Sequence, residues 1–134
     1  MEKVVIFENE NSKMVCYPDI KIVHNKFVGT PTGKQFREAL EAGIGAMEKY
    51  ECTKWLSDDS ENLAQFSPED HIWADNDWFP RMQEVGWKTW AMVVPNEIMG
   101  RLNVKDIVEK NVQRGIRMAV FSDLDKALGW LVQI

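Results

Sequence analysis

The residues able to do chemistry concentrate in one stretch. Between Trp55 and Pro80 lie seven acids, Asp58, Asp59, Glu61, Glu69, Asp70, Asp75 and Asp77, without a single Lys or Arg. Like charges held this close repel, and a basic partner relieves them; a solvated loop and helix face is the plain alternative. Five of the six tryptophans, Trp55, Trp73, Trp78, Trp87 and Trp90, fall between positions 55 and 90, with Phe66 and Phe79 among them. Tryptophan is enriched at binding surfaces as well as in cores. The candidates for an interaction or ligand surface are therefore Trp55, Asp58, Asp59, Trp73, Trp78 and Phe79. Trp73 and Trp78 stand about 140° apart on an ideal helix, so a straight helix cannot aim both at one core.

Metal and acid–base chemistry find little support. His71 and Asp75 have i, i+4 spacing with Asp70 beside them, but a zinc site needs three or four donors, and His24 belongs to another element. No metal or cofactor is assigned. The chain has no Gly-rich phosphate loop, no nucleophile elbow and no Cys beside a His, so no catalytic residue is assigned either.

A chain of 134 residues with 45% apolar and 28% charged residues has the size and composition of one globular domain, taken as 1–134. Its net charge of −5 offers no general attraction to polyanions, which argues against nucleic acid. No run approaches the ~20 apolar residues of a membrane span. The first residues lack a basic segment followed by a long apolar run, and Cys16 and Cys52 read as free thiols, so a cytoplasmic location is expected.

The elements that must position the acidic, Trp-rich stretch follow from periodicity and punctuation. Lys3–Glu8, Lys13–Tyr17 and Ile20–Val28 read as an antiparallel meander with turns at Asn9–Ser12 and Pro18-Asp19. Thr32 and Gln35 have capping-box spacing for a helix to Lys49, with Phe36, Ala39, Leu40, Gly43, Ile44 and Met47 on one face. Gly43 and Gly45 are expected to let that helix approach the sheet. Cys52–Ser57 reads as a strand running out into a polar loop at Asp58–Asn62. Ser67-Pro-Glu-Asp70 opens a second helix to Val85, with a kink or break near Trp78-Phe79 because Pro80 cannot donate. Trp87–Pro95 reads as a buried strand, Asn103–Arg114 as a helix with Val104, Ile107, Val108 and Val112 on its apolar side, and Gly115 as its terminator. Ile116–Phe121 is the last strand, followed by a helix capped by Ser122. The order βββαβαβαβα predicts an α/β fold, with an opening antiparallel meander joined to parallel strands through right-handed crossovers in one mixed sheet.

That order, together with Trp55-Leu-Ser-Asp-Asp59, Ser67-Pro-Glu-Asp70, Asn76-Asp-Trp-Phe-Pro80 and Ala91-Met-Val-Val94, resembles the SpoIIAA-like family, relatives of the STAS and CRAL-TRIO (Sec14-like) domains. The resemblance covers nearly the whole chain and implies a small mixed sheet backed by helices. It also implies a family whose members bind regulatory proteins or hold apolar ligands. In STAS-type antagonists of anti-sigma factors, a serine after an Asp at a helix start accepts a phosphate; the nearest match is Asp59-Ser60, which makes Ser60 the candidate phosphoacceptor. Here no glycine follows Ser60, and the predicted helix begins at Ser67. The expectation is a non-enzymatic binding or regulatory module acting through protein contacts, self-association as a homodimer included. The alternative is a carrier or sensor of a small apolar ligand.

Overall fold

The computed structural model describes residues 2–134. Six strands form one sheet in strictly sequential order: β1 (Val4–Asn9), β2 (Ser12–Tyr17), β3 (Ile22–Gly29), β4 (Lys54–Asn62), β5 (Thr89–Val93) and β6 (Arg117–Phe121). The first three pair antiparallel, and β3 through β6 run parallel. A short 3-10 turn at Pro18–Ile20 delays β3 by two residues relative to the sequence reading.

Each parallel step needs a crossover. Because the strands add in one direction and such crossovers share one hand, their helices return over the same face. That face carries α1 (Gly33–Lys49), then α2 (Pro68–Trp73) continuing through a π-helical turn at Ala74–Trp78 into α3 (Phe79–Glu84), and α5 (Val104–Gln113). The core there packs Met14, Cys16, Val23 and Trp55 of the sheet side against Leu40, Met47, Trp78, Phe79 and Met82 of the helices. Only α6 (Leu124–Val132) covers the other face, where Ala127 and Leu131 close over Ile22, Leu56, Ala91 and Val93.

Helix α1 starts as its sequence dictates. Thr32 Oγ1 accepts from Gln35 N–H at 3.1 Å, and Gln35 Oε1 accepts from Thr32 N–H at 2.9 Å. Gly43 lies against the Trp55 ring so closely that a Cβ would come within 2.6 Å of it, whereas a Cβ on Gly45 would meet nothing within 4 Å. Of the two glycines expected to serve packing, Gly43 alone does so.

Four further sequence readings are corrected. The segment Asp58–Asn62 is the second half of β4, pairing with β3 as far as Gly29 and Asn62, because a bulge absorbs the acids instead of a loop. The helix from Ser67, read as kinked or broken near Trp78-Phe79, does not break there: its backbone stays helical through Pro80. A π turn, closed by Phe79 N–H on Ala74 C=O, inserts one extra residue ahead of the proline. The missing Pro80 N–H leaves the Asp75 carbonyl free, and Arg114 Nη2 takes it at 3.0 Å. The terminal helix is capped by Asp123, which accepts from Lys126 N–H at 3.1 Å, and not by Ser122. On α5, Val112 is exposed and Asn111 is buried, its Nδ2 donating to Ile107 C=O at 2.9 Å and to Met118 Sδ at 3.1 Å. A four-residue helix, α4 (Asn96–Met99), has no counterpart in the sequence reading.

Candidate functional site

Side chains alternate along a strand, so Trp55 and Ser57 of β4 point to the helix-covered face. Without a bulge, Asp59 would follow them and Asp58 would not. Asp58 indeed turns to the opposite face, where it is 2% exposed and accepts from Ser60 N–H (3.0 Å) and Ser60 Oγ–H (2.6 Å). Between Asp58 and Glu61 β4 has two residues where β3 has one between Lys26 and Val28. Asp59 and Ser60 therefore lie in a bulge, a feature that re-aims side chains near binding sites. The serine proposed by resemblance is a strand residue whose hydroxyl is committed to Asp58, with Asp59 and Glu61 as sequence neighbours.

Asp59 faces a groove of about 510 Å³ between the helix-covered face of β3, β4 and β5 and the helices α1 and α2. In the sheet, Asn25 pairs laterally with Ser57, and Trp55 with Trp90. Around them Phe27, Phe36, Phe66 and Trp78 complete an aromatic enclosure, with Asn62, His71 and Asp75 at its polar margin. Phe36 stacks on Phe66 with centroids 4.2 Å apart, and Phe27 meets both at 6.0 and 6.1 Å. Trp55 and Trp78 meet edge to face at 5.5 Å. Trp78 is pinned by its Nε1–H on Leu40 C=O at 2.8 Å, and Trp90 by its Nε1–H on Ser57 Oγ at 3.0 Å.

The polar groups of the groove are unevenly satisfied. Asn25 is 2% exposed, and its Oδ1 accepts from Ser12 Oγ at 2.9 Å, which leaves its amide nitrogen as the end without a protein partner. Asp59 Oδ1 accepts from Asn62 Nδ2 at 3.0 Å. Burial raises the Asp59 carboxyl above its ordinary range, the Asn62 hydrogen bond opposes this, and the neighbouring Asp58 adds to it. Asp75 is instead claimed by Arg114, whose Nη1 lies 3.1 Å from Asp75 Oδ1 and whose guanidinium stacks 3.4 Å over the Phe79 ring.

Of the six surface candidates, Trp55, Asp59 and Trp78 line the groove, whereas Asp58, Trp73 and Phe79 do not. Trp55, Asp58, Trp78 and Phe79 are at most 5% exposed, so these four form no outward patch. Trp73 sits half-buried beside Phe36 with the Arg37 guanidinium 5.0 Å above its ring. The π turn reconciles Trp73 with Trp78: an extra residue in the turn brings positions five apart nearer to one face than an α-helix does. Asn25 and Ser57 were missed from the sequence, and Phe66 was noted there but not counted among the candidates; alternation along β3 and β4 was the signal that places Asn25 and Ser57 beside Trp55. Among the described residues, no three His, Cys, Asp or Glu side chains converge as a metal site requires, and no helix is long and apolar enough to cross a membrane.

No family model matches the chain, and no curated protein does. Among solved structures it is similar to an uncharacterized protein of the DUF3478 family with a SpoIIAA-like fold from Shewanella loihica PV-4. The likeness has a TM-score of 0.57 at 16% identity and covers 96% of this chain and 93% of that one. The chain thus has a SpoIIAA-like fold, as the resemblance read from its sequence implied, and fold does not fix function.

Proposed function

We propose that this protein binds a small, largely apolar molecule carrying a polar end, in the groove under the helix-covered face of β3–β5. The observation that carries the reading is Asn25. An amide 2% exposed, with its nitrogen unpartnered, lines an aromatic enclosure of about 510 Å³. Asn25 Nδ2 opens onto the groove, where a ligand acceptor gives it a hydrogen bond worth about 0.5–1.5 kcal/mol net. The volume falls within the range of small-molecule sites. Native mass spectrometry of gently purified protein is expected to show a reproducible small-molecule adduct. Ala64→Trp, which fills the groove from its rim, is expected to remove that adduct while the protein still melts cooperatively. An adduct-free protein that also fails to enhance Nile red fluorescence would sink the reading.

A second reading rests on a separate observation. Leu63 and Ile72, 74% and 59% exposed, lie within the acidic segment and offer apolar footing for a protein contact, a second copy of the chain included. Sedimentation of the wild type and of a Leu63→Asp/Ile72→Asp double variant tests it. A monomer in both cases, with no partner retained by either, removes self-association.

A further inference from the structure

Resting on the groove reading, we infer that its ligand is an organic ammonium, with the cationic nitrogen seated against Asp59 and the apolar body held among Phe27, Phe66, Trp55 and Trp90. Three independent features converge on a cation.

The first is charge. No Lys or Arg lines the groove. Its two acids differ in circumstance: Asp75 is ion-paired with Arg114, and Asp59 has only the neutral amide of Asn62 as a hydrogen-bond partner. An anionic ligand entering here meets Asp59 with no Lys or Arg on the walls to compensate it; His71 and Asp75 are the other titratable groups of the lining. An ammonium supplies the counter-ion that Asp59 lacks, in surroundings where a paired charge is worth more than in water.

The second is the walls. Phe27, Phe36, Phe66, Trp55, Trp78 and Trp90 line the groove, and the quadrupole of an aromatic ring attracts a cation that meets its face. The rings hold one another in place through contacts of 4.2 to 6.1 Å, so the enclosure is organised before a ligand arrives.

The third is the architecture around Asp59. Strand alternation aims this carboxyl into the groove and Asp58 away from it, and Asp58 braces the bulge that follows through both the N–H and the hydroxyl of Ser60. Burial holds the Asp59 carboxyl up in the empty protein, so its ionised form is the one a bound cation stabilises. At a pH where Asp59 holds a proton, binding draws it off, so amine affinity rises with pH through the titration of Asp59. Asn25 Nδ2 and the Ser57 hydroxyl proton remain as donors for an oxygen elsewhere on the ligand.

Three probes sharing one body separate this inference from the reading beneath it: 2-phenylethylamine, 2-phenylethanol and 3-phenylpropionate, each titrated calorimetrically and by the tryptophan indole N–H signals in NMR. The amine is expected to bind at least about tenfold more tightly than the alcohol, a difference of about 1.4 kcal/mol, with the acid weakest. Amine affinity alone is expected to climb with pH, and Asp59→Asn is expected to erase the amine preference while leaving the alcohol within about twofold. Equal binding of amine and alcohol, or tightest binding of the acid, overturns the ammonium assignment and leaves the groove reading intact. Failure of all three probes to perturb any indole signal overturns both.

Discussion

Replacing each of two helix α1 glycines by alanine separates a packing role from a bystander role within a single helix. Either Gly→Ala change gains about 1 kcal/mol of helix propensity. At Gly45 nothing opposes that gain, since a Cβ there has no neighbour within 4 Å. At Gly43 the new Cβ falls 2.6 Å from Trp55 Cη2 and 2.7 Å from Cζ3, distances no packed methyl tolerates, and the Met14 methyl stands 3.6 Å away on the same side. Trp55 is 2% exposed and lies against Trp78, so its ring has one direction of retreat, into the groove. Overpacking of this kind costs about 1–3 kcal/mol. Gly43→Ala is thus expected to be neutral to destabilising by about 2 kcal/mol, and Gly45→Ala to stabilise by about 1 kcal/mol. For a domain of this length about 1 kcal/mol shifts the melting temperature by roughly 4 °C, so the two variants should part by about 4–12 °C in a thermal scan. Groove ligands should also bind Gly43→Ala more weakly, because Trp55 has moved into their space. If Gly43→Ala melts as high as Gly45→Ala, the close approach of α1 to Trp55 is not a constraint and the reasoning fails.

Asp59→Asn is expected to stabilise the unliganded protein at neutral pH. The folded-state carboxyl is held above its unfolded value by burial, so its ionised form costs stability above the folded pKa, and that cost fades as pH falls toward the unfolded value. Urea titrations across that range should show the advantage of the variant shrinking toward acid, and an advantage independent of pH would contradict the assignment. His24 acts in the reverse sense: burial lowers it from 6.5 to about 4, against the pull of Asp58 and alongside Lys26 and Lys3. Its contribution is complete above pH 6.5 and is lost as pH falls toward 4, on the order of 3 kcal/mol in total. His24→Gln should lack that limb of the stability curve, and an NMR titration of His24 with a midpoint near 6.5 would contradict it. Cys16 and Cys52 lie with Sγ atoms 3.5 Å apart and no exposure, and burial, followed by the Cys52 hydrogen bond, pushes the Cys16 thiol up to about 12. Iodoacetamide should therefore label neither at pH 8 in the native protein and both in urea; prompt native labelling would refute their burial.

Most of the scaffold was written locally. Thr32 and Gln35 announce a helix because both partners of the capping box lie within four residues, and Gly115 announces a helix end because its φ of +87° suits glycine. What could not be read is what depends on partners distant in sequence. Asp58–Asn62 looks like a loop by polarity and becomes strand because β3 offers ladder partners and Ser60 satisfies Asp58. Pro80 looks like a helix break, and the helix continues because Arg114, 34 positions later in the chain, occupies the carbonyl that the proline leaves free. The candidate site was half legible for the same reason. Trp55, Asp59 and Trp78 stood out by type and charge, whereas Asn25 and Ser57 acquire meaning only once the parallel register sets them side by side.

The strictly sequential strand order also has a kinetic meaning. Every strand docks on the one made just before it, so no early segment waits for a late one to complete its ladder, and the sheet can grow in the direction of synthesis. The groove lining runs from Asn25 to Trp90 and takes nothing from the last 44 residues. Its strands can pair while α5, β6 and α6 are still inside or near the ribosome, and Arg114 of the C-terminal third then fixes the wall by holding the side chain and the carbonyl of Asp75.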